Sequence, residues 1–383
     1  MKRARLFLPL TVLALLAACA GGESRLQRET PTPLTELQKS MPVRSLWNVS
    51  TGAGAGPENF VLAPASEGET VVATDSRGLV TSINARNGAE RWRVSLDLPV
   101  TAGPGLGDGL VVLGTRKGQV VALDAATGQR RWTANVSSEV LAAPAVHSGY
   151  VIVQSVDGRI AAFASSDGKP QWTYERTEPA LSVYGTGRPV VLGHFVLSGF
   201  ASGRAVALGL RDGRLMWEYP VTEPRGRNEI ERLVDVDAPV LVVRNLLYAA
   251  AYQGKVVAID MRNGRPVWAR DLSVHTGMVA DERHLYVTTD RGEIIALDLA
   301  TGASVWRQDK LKYRQVTGPS VVGSELAVAD AEGYIHWLSI DDGRLVARYR
   351  LGSSSIRANP ITVTDTLVVL NQGGELSALR LTR

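Results

Sequence analysis

The sequence predicts an all-β fold, one eight-bladed β-propeller, on three observations. One phrase of residues recurs along the chain, its copies are spaced by about 40 residues, and one copy is divided between the two chain ends. The phrase reads Gly-x-[Val/Ile]-x-Ala-[Leu/Ile]-Asp-x-x-[Thr/Asn]-Gly-x-x-x-Trp. Clear copies run Gly118–Trp132, Gly254–Trp268 and Gly292–Trp306, and weaker ones Gly78–Trp92, Gly158–Trp172 and Gly203–Trp217. A degenerate copy starts at Gly333, with Arg348 where Trp is expected. An eighth, from Gly374, stops at the C-terminus after GELSAL, and its missing tail reappears as Trp47.

A period of about 40 residues is the length of four short strands with turns. The apolar run Val-Val-Ala-Leu reads as one strand, Asp-x-x-Thr-Gly as a turn whose Gly takes positive φ, and the stretch ending in Trp as the next strand. After each Trp come two more, such as Ala142-Ala-Pro-Ala-Val with Tyr150-Val-Ile-Val-Gln, or Gly318-Pro-Ser-Val-Val with Leu326-Ala-Val-Ala. Each unit is therefore a four-stranded antiparallel meander. A meander with two apolar faces needs neighbours on both sides, so the units stack and close into a ring. Closure is expected at a shared sheet, with residues around Leu46–Val49 supplying the outer strand to three C-terminal strands. Pro64, Pro104, Pro144, Pro189, Pro239, Pro319 and Pro360 recur in the first strand after the Trp, which makes it an edge strand lining the central channel. The six Trp at repeat positions are expected to pack between adjacent blades.

The first 18 residues read as a signal peptide: Met1-Lys-Arg-Ala-Arg followed by an apolar run, Leu6–Ala18, too short for the roughly 20 residues a bilayer core requires. Without them Lys+Arg falls from 42 to 39 against 38 Asp+Glu, so the mature chain is almost neutral and nucleic acid is excluded as a partner. Cys19 is the single cysteine and follows Leu16-Ala-Ala. Leu-Ala-Ala-Cys resembles the bacterial lipobox, which implies lipidation of Cys19. Ala20 after it, rather than Asp, implies the periplasmic face of the outer membrane. Residues 19–33 (CAGGESRLQRETPTP) read as a lipidated tether, and 34–383 as the propeller.

Function is expected where the repeat is broken. From Trp to the following inner-strand Pro there are 12 residues for Trp92–Pro104 and Trp132–Pro144, and 13 for Trp306–Pro319, but 17 for Trp172–Pro189 and 22 for Trp217–Pro239. The two long connections belong to consecutive blades and so lie side by side on one face. Leu181, Val183, Tyr184, Ile230, Leu233 and Val236 would form an apolar centre ringed by Glu229, Glu231, Arg232, Asp235 and Asp237, the make-up of a protein-binding patch. Trp47–Pro64 also spans 17, but its Thr51-Gly-Ala-Gly-Ala-Gly run offers little to bind with.

Eight such units behind a lipobox, with Glu229-Ile-Glu-Arg-Leu-Val-Asp-Val-Asp237 and Glu332-Gly-Tyr-Ile-His-Trp337, resemble the BamB family over essentially the whole chain. That resemblance implies a non-enzymatic scaffold of the outer-membrane β-barrel assembly machinery. It would bind the periplasmic POTRA domains of BamA alongside other machinery subunits and assist insertion of outer-membrane proteins. Matched by motif, the family's contact residues fall on Leu181, Val183, Tyr184, Asp235 and Asp237. The chain departs from the family at Tyr184, where the family has Arg. A charge-assisted contact is therefore not carried over to that position, and an aromatic can anchor an interface instead. Transient pairing of unfolded outer-membrane polypeptides with exposed strand edges is a further expectation.

Two alternatives belong to other classes: a PQQ-dependent periplasmic dehydrogenase, because quinoprotein alcohol dehydrogenases use the same repeat, and a stand-alone periplasmic chaperone. The dehydrogenases resemble this chain in their repeats but use a vicinal disulfide, a calcium ion and a catalytic carboxylate, and one cysteine cannot form that disulfide. Asp124, Asp260 and Asp298 sit in turn motifs, where bonding to backbone explains them. His147, His194, His275, His284 and His336 show no ligand-type spacing. No catalytic residue, cofactor or metal is therefore expected.

Overall fold

A computed structural model describes residues 29–37, 39–56, 58, 60–178, 187–223, 234–236, 238–274 and 276–382. Over Pro31–Arg383 they form one compact unit of eight four-stranded antiparallel sheets. Blade one sets the pattern, with strands Ala65–Glu67, Thr70–Thr74, Leu79–Asn84 and Glu90–Ser95 in that spatial order. Blades two to seven follow over 100–135, 145–175, 190–220, 241–271, 278–308 and 320–350. First strands of neighbouring blades touch one another, which puts them innermost. The two middle strands of each blade are the most buried because both their faces meet a neighbouring blade. Val71–Ala73, Val111–Leu113 and Val256–Ile259, for example, are fully enclosed.

The ring closes as the divided copy predicts. Blade eight combines Ile361–Val363, Thr366–Leu370 and Glu375–Leu381 with Val43–Ser50, and the last two pair from Val43↔Leu381 to Ser50↔Glu375. Leaving no free end removes two sheet edges that would otherwise invite pairing with other chains.

The repeat Trp residues join blade to blade, each in the same way. Trp132 donates its indole N–H to the Ser165 carbonyl at 2.8 Å, in the Asp-x-x-Thr-Gly turn region of the next blade. Its ring lies against Gly168, where a Cβ would come within 2.6 Å of it. Trp47, Trp92, Trp172, Trp217, Trp268 and Trp306 make the equivalent bond to Ala85, Ala125, Leu210, Met261, Leu299 and Ile340. Gly168 therefore serves twice. Its φ of 71° closes the turn, and its missing side chain admits the neighbour's indole. The turn aspartates act as expected: Asp124 Oδ1 accepts from the Thr127 amide and hydroxyl, both at 2.9 Å. Those bonds and Arg131 hold its carboxyl below the usual range.

Two details differ from the sequence reading. The Trp position of the degenerate copy falls on Ala347, not Arg348. Ala347 pairs directly with Trp337, whereas in blade six Ala296 pairs with Trp306, so the large and small residues have exchanged strands. The exchange has a physical reason. Blade eight has no turn between its third and fourth strands, because these are the two chain ends, so an indole at 347 would have no such turn to grip. Trp337 is instead 1% exposed among Ile335, Leu367, Val369 and Leu379, with Met41 and Leu381 packed against the same cluster. The prolines, moreover, mostly stand just before the innermost strand rather than in it. Pro64, Pro144, Pro189, Pro319 and Pro360 immediately precede it, and Pro239 lies two residues ahead. Lacking an N–H, they mark where ladder pairing begins. Only Pro104 lies inside, and there the register skips from Ala102↔Gly114 to Gly105↔Val112.

Candidate docking face

The repeat Gly residues define one face of the ring. Gly118 turns the chain between the second and third strands of its blade at φ 74°, and its carbonyl accepts from Val136, just past the fourth strand, at 2.8 Å. The same bond links Gly78 with Leu96, Gly158 with Arg176, Gly203 with Thr222, Gly254 with Leu272 and Gly333 with Leu351. Each connection from outer to inner strand is thus pinned to the turn side of its own blade, and the long connections start from that side as the short ones do.

The described flanks of the two long connections meet. Glu178 and Gly187 border the first, Asp235 and Val236 belong to the second, and all four line one small cavity with Gln154 of blade three and Gly199 and Phe200 of blade four. Gln154 crosses between those blades, donating to the Gly199 carbonyl at 2.9 Å and bonding to the Ser198 hydroxyl. Leu181, Val183, Tyr184 and Asp237 lie outside the described residues, as do Glu229–Leu233 and Cys19.

Asp235 was expected on a charged rim, and the structure corrects that: it is 1% exposed. Its carbonyl accepts from the Tyr252 amide at 2.8 Å in a short antiparallel bridge that ties the connection to blade five. Val236, 1% exposed, donates its amide to the Phe200 carbonyl at 3.3 Å and packs with Leu197, Val240 and Leu247. These two residues anchor the root of the connection. Beside them burial pushes the Glu178 carboxyl up. Its Oε1 accepts from the Ser202 hydroxyl at 3.3 Å, while Oε2 is buried without a hydrogen-bond partner among the described residues.

The central channel opens through a cavity of about 490 Å³ lined from most of the same connections. Val61, Pro64, Pro104, Leu141, Pro239, Val316 and Ile361 make its wall apolar, and Arg188, Arg357 and Asp290 bring the charges. Asn359 spans one side, donating to the Thr276 carbonyl and accepting from the Gly318 amide, each at 2.7 Å.

A second polar cluster stands on blades six and seven, within and beside the Glu332–Trp337 motif. Asp330, fully buried, accepts from Arg314 Nε at 2.8 Å and from His336 Nε2 at 3.0 Å. Arg348 Nε approaches His336 Nδ1 at 3.3 Å. A guanidinium can only donate, so Nδ1 carries no proton and the imidazole is neutral with its hydrogen on Nε2. Burial, the dominant influence, accordingly holds the His336 pKa below its ordinary value. The two arginines also grip the incoming chain: Arg314 Nη1 donates to the Thr32 carbonyl at 3.2 Å and Arg348 Nη1 to the Thr35 carbonyl at 3.0 Å. With Thr32 N bonded to Lys312 O and Met41 N to Val346 O, residues 32–37 and 39–41 lie as a strap across these blades. Sequence reasoning singled out the motif but not this role, because the partners are backbone carbonyls about 300 residues away, which no side-chain pattern records.

A family model described as outer membrane protein assembly factor BamB matches residues 76–308 and 300–382. The chain belongs to the BamB family. Over 98% of its length it is 45% identical to the outer membrane protein assembly factor BamB of Alkalilimnicola ehrlichii, of which 97% is covered. The crystal structure of BamB from Moraxella catarrhalis superposes with a TM-score of 0.82 at 28% identity, covering 89% of this chain and 100% of that one. Quinohemoprotein alcohol dehydrogenase from Comamonas testosteroni has the same fold, with a TM-score of 0.72 over 89% of this chain and 77% of its own, but at 14% identity the likeness is one of architecture alone. BamB relatives are named as assembly factors, not enzymes.

Proposed function

We propose that this BamB-family chain is a non-enzymatic scaffold of the outer-membrane β-barrel assembly machinery, docking POTRA domains of BamA through the two long connections. The observation that carries the proposal is the convergence of Glu178, Gly187, Asp235 and Val236 on one cavity, which supports a single composite surface rather than two separate loops. Leu181, Val183, Tyr184 and Asp237 are its proposed contacts. Asp235 acts from beneath, through the bridge to Tyr252 that holds the second connection in place. Exposed Leu215, Met216, Val267 and Val305 on the outer strands of blades four to six suit transient pairing with unfolded barrel polypeptides.

The proposed chain is cleaved after residue 18, lipidated at Cys19 and tethered by residues 19–33 to the periplasmic face of the outer membrane. Intact mass of the mature N-terminus tests this, and an unmodified Cys19 refutes it. Docking is tested by co-purification. Leu181→Ala, Asp235→Asn and Asp237→Asn together are expected to release BamA while thermal unfolding stays cooperative. Wild-type yield of BamA from that variant overturns the assignment. A dehydrogenase is disfavoured because the single cysteine cannot form a vicinal disulfide. Alcohol-dependent dye reduction after loading with quinone and calcium would reverse that conclusion.

A further inference from the structure

Arg188 stands at the end of the first long connection, immediately before Pro189 and the inner strand of blade four, and lines the channel mouth. It is half-buried, yet its guanidinium makes no hydrogen bond or ion pair among the described residues. The other half-buried or buried arginines among the described residues are engaged: Arg159 with Glu175, Arg176 and Arg204 with Glu218, Arg314 with Asp330 and Glu332, Arg348 with His336 and Thr35, and Arg380 with Asp365. Arg357, exposed, lines the same cavity and is likewise unpaired among the described residues. Asp290 is the one carboxylate among the described lining residues. A guanidinium offers five donors in a fixed fork, and with water partly excluded the missing acceptor is costly. Burial alone depresses the Arg188 pKa, in keeping with an uncompensated charge.

We infer that the channel mouth is a carboxylate-reading subsite in which Arg188, assisted by Arg357, receives an acidic side chain from a loop of the protein partner. The inference rests on the docking reading above and deepens it. Three features favour a partner's loop over a small free anion. The cavity is wide and mostly apolar, with Val61 40% exposed in its wall, so it accommodates an apolar residue beside the acid. The charge of its described lining, two arginines against one aspartate, is complementary to an anionic tip. Arg188 closes the connection that begins the docking surface, so one partner can engage both.

The test titrates the soluble POTRA domains of BamA into the full mature chain and into Arg188→Glu, Arg188→Lys, Arg357→Glu and Leu181→Asp variants. Arg188→Glu is expected to weaken binding at least about tenfold and to flatten its salt dependence, Arg357→Glu to weaken it about threefold, and Arg188→Lys to fall between because it keeps charge but loses the fork. Thermal midpoints should not move, since Arg188 holds none of the described residues. Binding by Arg188→Glu within about twofold of wild type, with Leu181→Asp defective, overturns the subsite and leaves the docking face standing. Absence of binding by the wild type overturns both. Inorganic phosphate titrated alone is the remaining arm: saturable binding that Arg188→Glu abolishes, with POTRA affinity unchanged, assigns a free anion and refutes the partner loop.

Discussion

Replacing Gly168 with Ala separates two reasons for one glycine. Its φ of 71° alone costs an L residue about 1–2 kcal/mol. The new Cβ also meets the Trp132 ring at 2.6 Å, where the indole is fixed by its 2.8 Å bond to Ser165. Displacing a packed ring adds about 1–3 kcal/mol, giving roughly 2–5 kcal/mol in all. Gly149 supplies the control: φ is 85° and nothing lies within 4 Å of its Cβ position, so Gly149→Ala should cost only about 1–2 kcal/mol. Trp132→Ala should cost about 3–5 kcal/mol. In that background Gly168→Ala should fall to the Gly149 value, a coupling of about 1–3 kcal/mol. Urea midpoints of residues 20–383, compared at constant m-value, read all of these. A Gly168→Ala cost equal to that of Gly149→Ala, or unchanged when the indole is gone, refutes the argument that this glycine answers to the adjacent blade.

Trp337→Ala should cost about 3–5 kcal/mol in the same assay, and adding Ala347→Trp should not recover it, because blade eight offers no turn for the relocated indole. The His336 pKa is depressed in the folded chain, so the unfolded chain binds the extra proton first. Stability is therefore complete above the unfolded value of 6.5 and declines as pH falls below it, and His336→Gln should flatten that decline in midpoints measured from pH 8 to pH 5. Arg314→Ala leaves Asp330 without its buried cation and should cost about 3–5 kcal/mol. It should also release the strap, so that limited proteolysis cuts before Leu34 well below the unfolding midpoint. Resistance of that variant to cleavage would show that the strap is held by other means.

Much of the architecture was legible because repeated physical problems leave repeated residues. Every blade needs a turn glycine and nearly every one an indole for its neighbour, and Trp47, stranded near the N-terminus, disclosed the seam. At the seventh blade the repeat's own Gly-to-Trp spacing already leads from Gly333 to Ala347 rather than Arg348; why no indole stands there, the missing turn in blade eight, is a fact of closure that no local alignment registers. The exposure of Asp235 was misjudged because loop composition reports polarity but not the backbone bridge to Tyr252 that draws the residue inward. Arg188 carried no motif at all. What distinguishes it is the lack of an acceptor among the described residues, a feature of three-dimensional placement that no sequence pattern records.

The seam also has a consequence in time. A chain synthesised from its N-terminus delivers residues 43–50 first and their ladder partners at 375–381 last. The leading segment must therefore wait, unpartnered, while seven sheets assemble behind it, and the strap that precedes it cannot be seated until blades six and seven are in place. A product lacking its final few residues would lose the partner of its own beginning, so loss at one terminus would be felt as a loosened strand at the other.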